Sequence, residues 1–172
     1  ERIAQEIILS IGGIRALRKL GIEVDVYHFN DSHPVLAGTE LIKEKMQYKN
    51  LSFEEALKAT KEEIVFTTHT PVVAGNEVHG HKILRYMGAY NGLTYLQMKQ
   101  IGGDPFSMTV AGLTLSKKAN AVAKLHGETA RNMWKDIPGG EGIIHITNGV
   151  HNATWQDANI KAVYENGGDI LE

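Results

Sequence analysis

Isoleucine or leucine recurs through the first twenty residues at positions 3, 7, 8, 11, 14, 17 and 20. Spacings of mostly three and four put Ile3, Ile7, Ile8, Ile11, Ile14, Leu17 and Leu20 on one face of a helix that Gly21 ends. Gly12-Gly13 interrupts this helix. Each glycine costs about 1 kcal/mol against alanine in a helix interior, so a close approach to another backbone is expected there. The period then changes. EVDVYHF, residues 23–29, is β-branched and aromatic with rough alternation, and reads as a strand running out into NDSHP. Pro34 suits the first turn of a following helix, HPVLAGTELIKEKM, with Asp31 or Ser32 as its N-cap.

LSFEEALKATKEE carries a capping box, Ser52 with Glu55 three residues on, and predicts a short exposed helix. A strand near 63–67 follows in EEIVFTTHTP, and one or two helices cover KILRYMGAY and GLTYLQMKQIG. SMTVAGLTLSKKA predicts a helix, NAVAKLH a strand ending at His126, GETARNMWKDI a helix, PGGEG a turn and GIIHITNG a last strand near 143–147. Trp134 and Trp155 lie on amphipathic segments and are expected to pack in the core. Alternating helices and strands predict an α/β fold, a Rossmann-like parallel sheet with helices on its faces. No internal repeat or linker breaks the chain, so residues 1–172 read as a single α/β domain.

Three of the predicted strands end alike, in VDVYHFNDSHP, EIVFTTHTPV and GIIHITNGVH, each passing from apolar residues into His, Asn, Asp or Thr. The carboxyl ends of parallel strands share one edge, where ligands bind in open α/β sheets. Asn30, Asp31 and His33, then His69 and Thr70, then Asn148 are thereby expected to line one crevice. Short neutral or singly charged hydrogen-bonding groups suit a polyhydroxylated ligand such as a sugar. Blander readings stand beside this one. His69 also fits a buried histidine tied to a carbonyl, Asp31 a helix N-cap, and Asn148-Gly149 a simple turn. His69 with His79 and His81 brings zinc to mind, but the spacing matches no HExxH pattern and no metal is expected.

Composition narrows the classes. An apolar fraction of 42% with 22% charged residues supports one hydrophobic core, and no apolar run reaches the roughly 18–20 residues of a membrane helix. A net charge of −2 with interspersed signs does not gather a polyanion, so nucleic acid is not an expected partner. The absence of cysteine rules out disulfides and cysteine zinc sites and suits a reducing compartment, with the cytoplasm as default. The chain starts inside a helical pattern with ERIAQEI and ends with ENGGDILE, which reads as a piece of a longer protein.

HFNDSHPVLAGTELI, FTTHTP, NAVAKLHGETARNMW and TNGVHNATW, in this order, resemble the central part of the amino-terminal domain of glycogen/starch (α-glucan) phosphorylases. NDSHP is similar to the longer animal and plant type, TTHTPVVAGNE and TNGVHNATW to the shorter bacterial type. The resemblance implies a two-domain glycosyltransferase of GT-B type that uses pyridoxal 5'-phosphate to release glucose 1-phosphate from α-1,4-glucan or maltooligosaccharide with inorganic phosphate. By resemblance His69 hydrogen-bonds the glucose 6-hydroxyl and Asn148 contacts the same sugar. Asp31 and His33 match residues lining the pocket beside the anomeric carbon, and Thr70 neighbours and positions His69. The cofactor's lysine and the phosphate-binding residues match a second domain outside this chain, which is therefore expected to be inactive alone. The parent is implied to be a homodimer. Two alternatives are a glycogen synthase type of glycosyltransferase and a non-catalytic carbohydrate-binding module. The module is disfavoured because aromatics make up only 7% of the chain and few lie in the polar clusters.

Overall fold

The computed structural model describes residues 1–167; the last residues of ENGGDILE lie outside that range. Two helices, α1 (Arg2–Ile7) and α2 (Gly13–Lys19), are joined by a π-helical turn, Ile8–Gly12. Then come β1 (Tyr27–Asn30), α3 (Ala37–Tyr48), α4 (Phe53–Lys61) and β2 (Ile64–Thr68). A second stretch holds β3 (Val78–His79), α5 (His81–Tyr86), α6 (Tyr95–Gly102), β4 (Phe106–Ser107) and α7 (Met108–Leu115). It is followed by β5 (Lys118–Ala121), α8 (Lys124–Trp134), β6 (Ile144–His145), α9 (Asn152–Trp155) and α10 (Ala158–Glu165). Strands β1, β2, β5 and β6 form one sheet in the order β1-β2-β5-β6 with every pairing parallel, as the alternation predicts. β3 and β4 make a small antiparallel pair.

The π turn accounts for the double glycine and corrects the first helix. A Cβ on Gly13 would meet nothing within 4 Å and one on Gly12 would be 3.7 Å from its nearest neighbour, so neither glycine allows a close backbone approach. They sit instead where the widened turn takes in an extra residue and shifts the apolar stripe. Ile3, Ile11 and Ile14 are buried, whereas Ile8 is 73% and Leu20 71% exposed. α2 docks on α3 through two guanidinium forks. Arg15 Nε and Nη2 donate to Glu40 at 2.8 and 2.9 Å, and Arg18 Nη2 donates to Glu44 at 3.0 Å.

Other boundaries move for reasons of pairing. β1 starts at Tyr27 rather than 23 because its partner β2 starts only at Ile64, and the ladder opens with Tyr27 N–H donating to Glu63 O at 2.7 Å. The helix expected from residue 33 begins at Ala37. Ser32 to Val35, Pro34 to Ala37 and Val35 to Gly38 are first taken up by tight i to i+3 turns. Asp31 is not its N-cap, since its carboxylate accepts from the adjacent Ser32 N–H at 2.8 Å and its own N–H continues the ladder to Thr67 O. The strand read over 120–126 lies at 118–121, and His126 belongs to α8, where its Nδ1 accepts the Val122 N–H at 3.3 Å. Trp134 packs against the core, but Trp155 is 79% exposed. The capping box of α4 forms as predicted, Ser52 Oγ accepting from Glu55 N–H and Glu55 from Ser52 N–H.

Side chains alternate across the sheet. Tyr27, Phe29, Ile64, Phe66, Ala119 and Ala121 form the buried face, against which α7 and α8 pack. Among the described residues the other face, carrying His28, Asn30, Lys118 and Ile144, is open, so helices cover one face rather than both. A polar chain crosses it: His28 Nε2 bonds Thr67 Oγ1 at 2.7 Å, and Thr67 Oγ1 donates to Asn120 Oδ1 at 2.8 Å.

α7 approaches the sheet through Gly112, where an added Cβ would lie 2.7 Å from Phe66 Cε2 and 2.8 Å from Cζ. Phe66 is fully buried and its ring cannot swing into solvent. Gly112→Ala adds roughly 1 kcal/mol of helix propensity, but overpacking of this kind costs about 1–3 kcal/mol. A lower urea midpoint than wild type is the expected outcome, and a raised midpoint would show that the ring has room to move.

Candidate functional site

Parallel pairing gives the sheet one carboxyl edge, and the three polar strand ends meet it. Asn30 closes β1 opposite Thr67, and His69 lies just beyond the end of β2. The two side chains bond directly, His69 Nε2 donating to Asn30 Oδ1 at 2.6 Å. It is therefore Asn30, across the strands, and not the adjacent Thr70, that holds the imidazole, and its Nδ1 remains the free ring nitrogen. Thr70 is half-buried and packs on the following loop, its Cγ2 lying 2.8 Å from where a Gly75 Cβ would stand. Asn148 reaches the same edge after β6, its N–H donating at 3.1 Å to Val122 O just past β5. His69 and Asn148 are both exposed.

Asp31 and His33 follow β1 on the same edge. Asp31 has φ +67°, a left-handed conformation that a short polar side chain tolerates, and it turns the chain sharply away from the sheet. His33 is tied backwards to α1 by a 2.6 Å hydrogen bond from Arg2 Nη2 to its Nδ1.

Arg2 is the centre of a cluster that sequence reasoning missed. Its Nε and Nη2 donate bidentately to Glu77 at 2.9 and 3.0 Å, and Nε is also 3.1 Å from Glu6 Oε1. His79 Nε2 is 3.3 Å from Glu6 and 3.7 Å from Glu77. Glu6 is 2% exposed, and burial, reinforced by hydrogen bonding and repulsion from Glu77, pushes its pKa up to about 8. Burial pushes Glu77 up as well, but hydrogen bonds from Arg2 and Glu6 outweigh it and hold that carboxylate below its usual range. Burial also lowers His79. Glu6 is thus the proton-bearing member of the carboxyl pair. Glu6, Glu77 and His79 offer ligand atoms within 4.8 Å of one another. Arg2 already fills the cationic place between the carboxylates, so a metal ion would have to displace it. The only sequence signal for the cluster was the i, i+4 pairing of Arg2 and Glu6; Glu77 comes from 75 residues away.

The imidazoles that suggested zinc are dispersed. His69 is on Asn30 and His79 on the carboxyl pair. His81 donates from Nε2 to Gly103 O at 2.8 Å and accepts at Nδ1 from Tyr90 at 2.8 Å, edge-on to Tyr95.

A parallel α/β sheet with short neutral donors and acceptors gathered at its carboxyl edge is a ligand-binding α/β unit of Rossmann-like class. The particular family follows from likeness to known proteins. The carbohydrate phosphorylase family model matches residues 5–89. The chain is 38% identical over 174 residues to a maltodextrin phosphorylase of Thermococcus litoralis, covering 96% of this chain and 21% of that protein. It is 35% identical over 178 residues to a glycogen phosphorylase of Mycobacterium tuberculosis, covering 90% of this chain and 21% of that one. A glycogen synthase of Vibrio cholerae is 34% identical over 107 residues, 62% of this chain and 20% of the synthase. The chain belongs to the carbohydrate phosphorylase family, and it spans about a fifth of the length of these curated relatives.

The carboxyl pair has a measurable consequence. Glu6 ionises near 4.5 when unfolded but near 8 when folded. The folded state therefore holds a proton that the unfolded state has released, and stability contributed by neutral Glu6 is full below about pH 4.5 and lost as pH rises towards 8. Glu6→Gln, a neutral isostere, is expected to flatten the fall in stability across this window and to leave the variant more stable than wild type near pH 8. Urea unfolding at several pH values measures this; parallel pH curves for the two proteins would contradict the assignment of the proton to Glu6.

Proposed function

We propose that this chain is part of the amino-terminal domain of an α-glucan phosphorylase with two Rossmann-like domains in GT-B arrangement, and that it supplies one wall of the glucosyl site. The observation that carries the reading is the Asn30–His69 hydrogen bond at the carboxyl edge. With Nε2 committed to Asn30, Nδ1 of His69 is the nitrogen left to accept a hydrogen bond from the glucose 6-hydroxyl. Asn148 contacts the same sugar, Asp31 and His33 border the anomeric carbon, and Thr70 supports the loop. These groups orient the bond that breaks, and none is asked to move a proton.

Pyridoxal 5'-phosphate is the cofactor this reading implies for the parent, where its phosphate would supply acid–base chemistry. A site for it needs a lysine amine for the imine and a cradle of donors for the phosphate. Asparagine, aspartate, histidine and threonine at this edge do not fit that demand, so the cofactor is assigned to the other domain, in keeping with a chain that is inactive alone. The parent is read as a cytoplasmic homodimer acting on α-1,4-glucan and phosphate. Likeness over 90% or more of the chain to two phosphorylases, against 62% to a synthase, favours phosphate over a nucleotide sugar as co-substrate.

Two outcomes test this. The isolated chain, given maltooligosaccharide, phosphate and pyridoxal phosphate, is expected to release no glucose 1-phosphate in a coupled assay, and phosphate-dependent turnover would overturn the half-site reading. In the intact parent, His69→Ala removes one orienting hydrogen bond, worth about 0.5–1.5 kcal/mol and more if it tightens in the transition state. A loss of roughly ten-fold in phosphorolysis with the cofactor still bound is expected. Xylosyl transfer, which lacks the 6-hydroxymethyl group, should suffer much less; equal losses on the two substrates would reassign His69 to structural support.

A further inference from the structure

The Arg2–His33 contact fixes more than the position of a side chain. A guanidinium has five N–H donors and no acceptor, so whatever it hydrogen-bonds must offer a lone pair. Arg2 Nη2 lies 2.6 Å from His33 Nδ1. That nitrogen is therefore unprotonated, and the ring proton is on Nε2. A hydroxyl partner leaves the tautomer of a histidine open because it can both donate and accept. Arginine cannot.

The guanidinium is itself held. Nε donates to Glu77 Oε1 at 2.9 Å, and Nη2, which has two hydrogens, serves both Glu77 Oε2 at 3.0 Å and His33. Glu77 lies on the loop that follows the end of β2, so three chain segments meet at one planar fork: α1, the turn after β1, and the loop after β2. Glu6, buried beneath the fork, stands 3.1 Å from Nε.

We propose that Arg2 is a positioning residue that locks His33 as its Nε2–H tautomer, so that the exposed side of the ring presents a hydrogen-bond donor, and not an acceptor, at the carboxyl edge. Nε2 is on the side of the imidazole away from Arg2, and His33 is exposed. The ligand atom it suits is an acceptor oxygen, such as the lone pair of a sugar oxygen. His33 then has the opposite polarity to His69, whose free nitrogen is Nδ1 with Nε2 spent on Asn30. The edge would offer one imidazole that donates and one that accepts, a pair able to fix the orientation of a hydroxylated ring. That last step rests on the phosphorylase reading; the tautomer does not.

The test is made on this chain, without sugar or phosphate, so its failure is separate from any failure of phosphorolysis in the parent. Long-range ¹H–¹⁵N spectra near neutral pH report the protonation of each imidazole nitrogen, with His33→Gln identifying the His33 signals. In the wild type His33 Nδ1 is expected in the unprotonated, pyridine-like region and Nε2 in the protonated, pyrrole-like region. Arg2→Met should move the two signals towards each other as both tautomers become populated, and Arg2→Lys, whose ammonium also only donates, should restore the separation in part. A wild-type spectrum with Nδ1 protonated would overturn the proposal whatever the variants do, as would an unchanged His33 pattern in Arg2→Met.

Discussion

Parallel pairing of β1, β2, β5 and β6 is the constraint on which the polar edge depends. A parallel ladder aligns chain direction as well as backbone hydrogen bonds, so every strand must deliver its following residues to the same edge. Phe29 opposite Phe66 and Phe66 opposite Ala119 set that register from the buried side, where a slip of one residue would turn the aromatic rings into solvent. The same register brings Asn30 opposite Thr67, which lets His69, two residues further on, reach back to Asn30. The geometry of the polar edge is thus a consequence of packing on the opposite face.

The edge is held in shape by groups that face it from outside the sheet. Arg2 joins α1 to the turn after β1 and the loop after β2, and its fork makes the orientation of His33 depend on a helix outside the parallel sheet. Two carboxyl groups as close as Glu6 and Glu77 cannot both stay ionised when buried, and the asymmetry resolves in favour of Glu77 because Arg2 grips it bidentately. The cluster therefore contains one full ion pair and one neutral acid, an arrangement that needs no further cation.

Amphipathicity divides the sheet sharply. One face is closed by α7 and α8, with Gly112 letting α7 settle directly on Phe66. The other carries His28, Thr67 and Asn120 in a hydrogen-bonded row. Parallel sheets are normally covered on both faces, and the polar row supplies internal partners to side chains on a face that the described residues leave open. His69 and Asn30 lie on this same side, so the wall they form opens outward.

The sequence by itself determined the parallel strands, most of the helices between them and their order, but not the short β3–β4 pair or the helices after β6. Local patterns suffice for that: the Ser52–Glu55 capping box, the apolar core of IVF in β2, and the shared passage from apolar to polar at three strand ends all act within a few residues. The likeness of four ordered motifs to phosphorylases likewise needed no coordinates. Boundaries were less legible, because β1 is as long as its partner allows and not as long as its own β-branched run. The phase of the first helix was illegible too, since a π turn changes the period without changing composition. Only the tertiary structure decided which side chain holds which. Asn30 and not Thr70 grips His69, and Arg2 meets Glu77 and His33 across 75 and 31 residues. Such contacts depend on how separately formed segments are brought together, and hydrogen-bond partners chosen by packing at a distance leave no period or spacing in the chain from which they could be read.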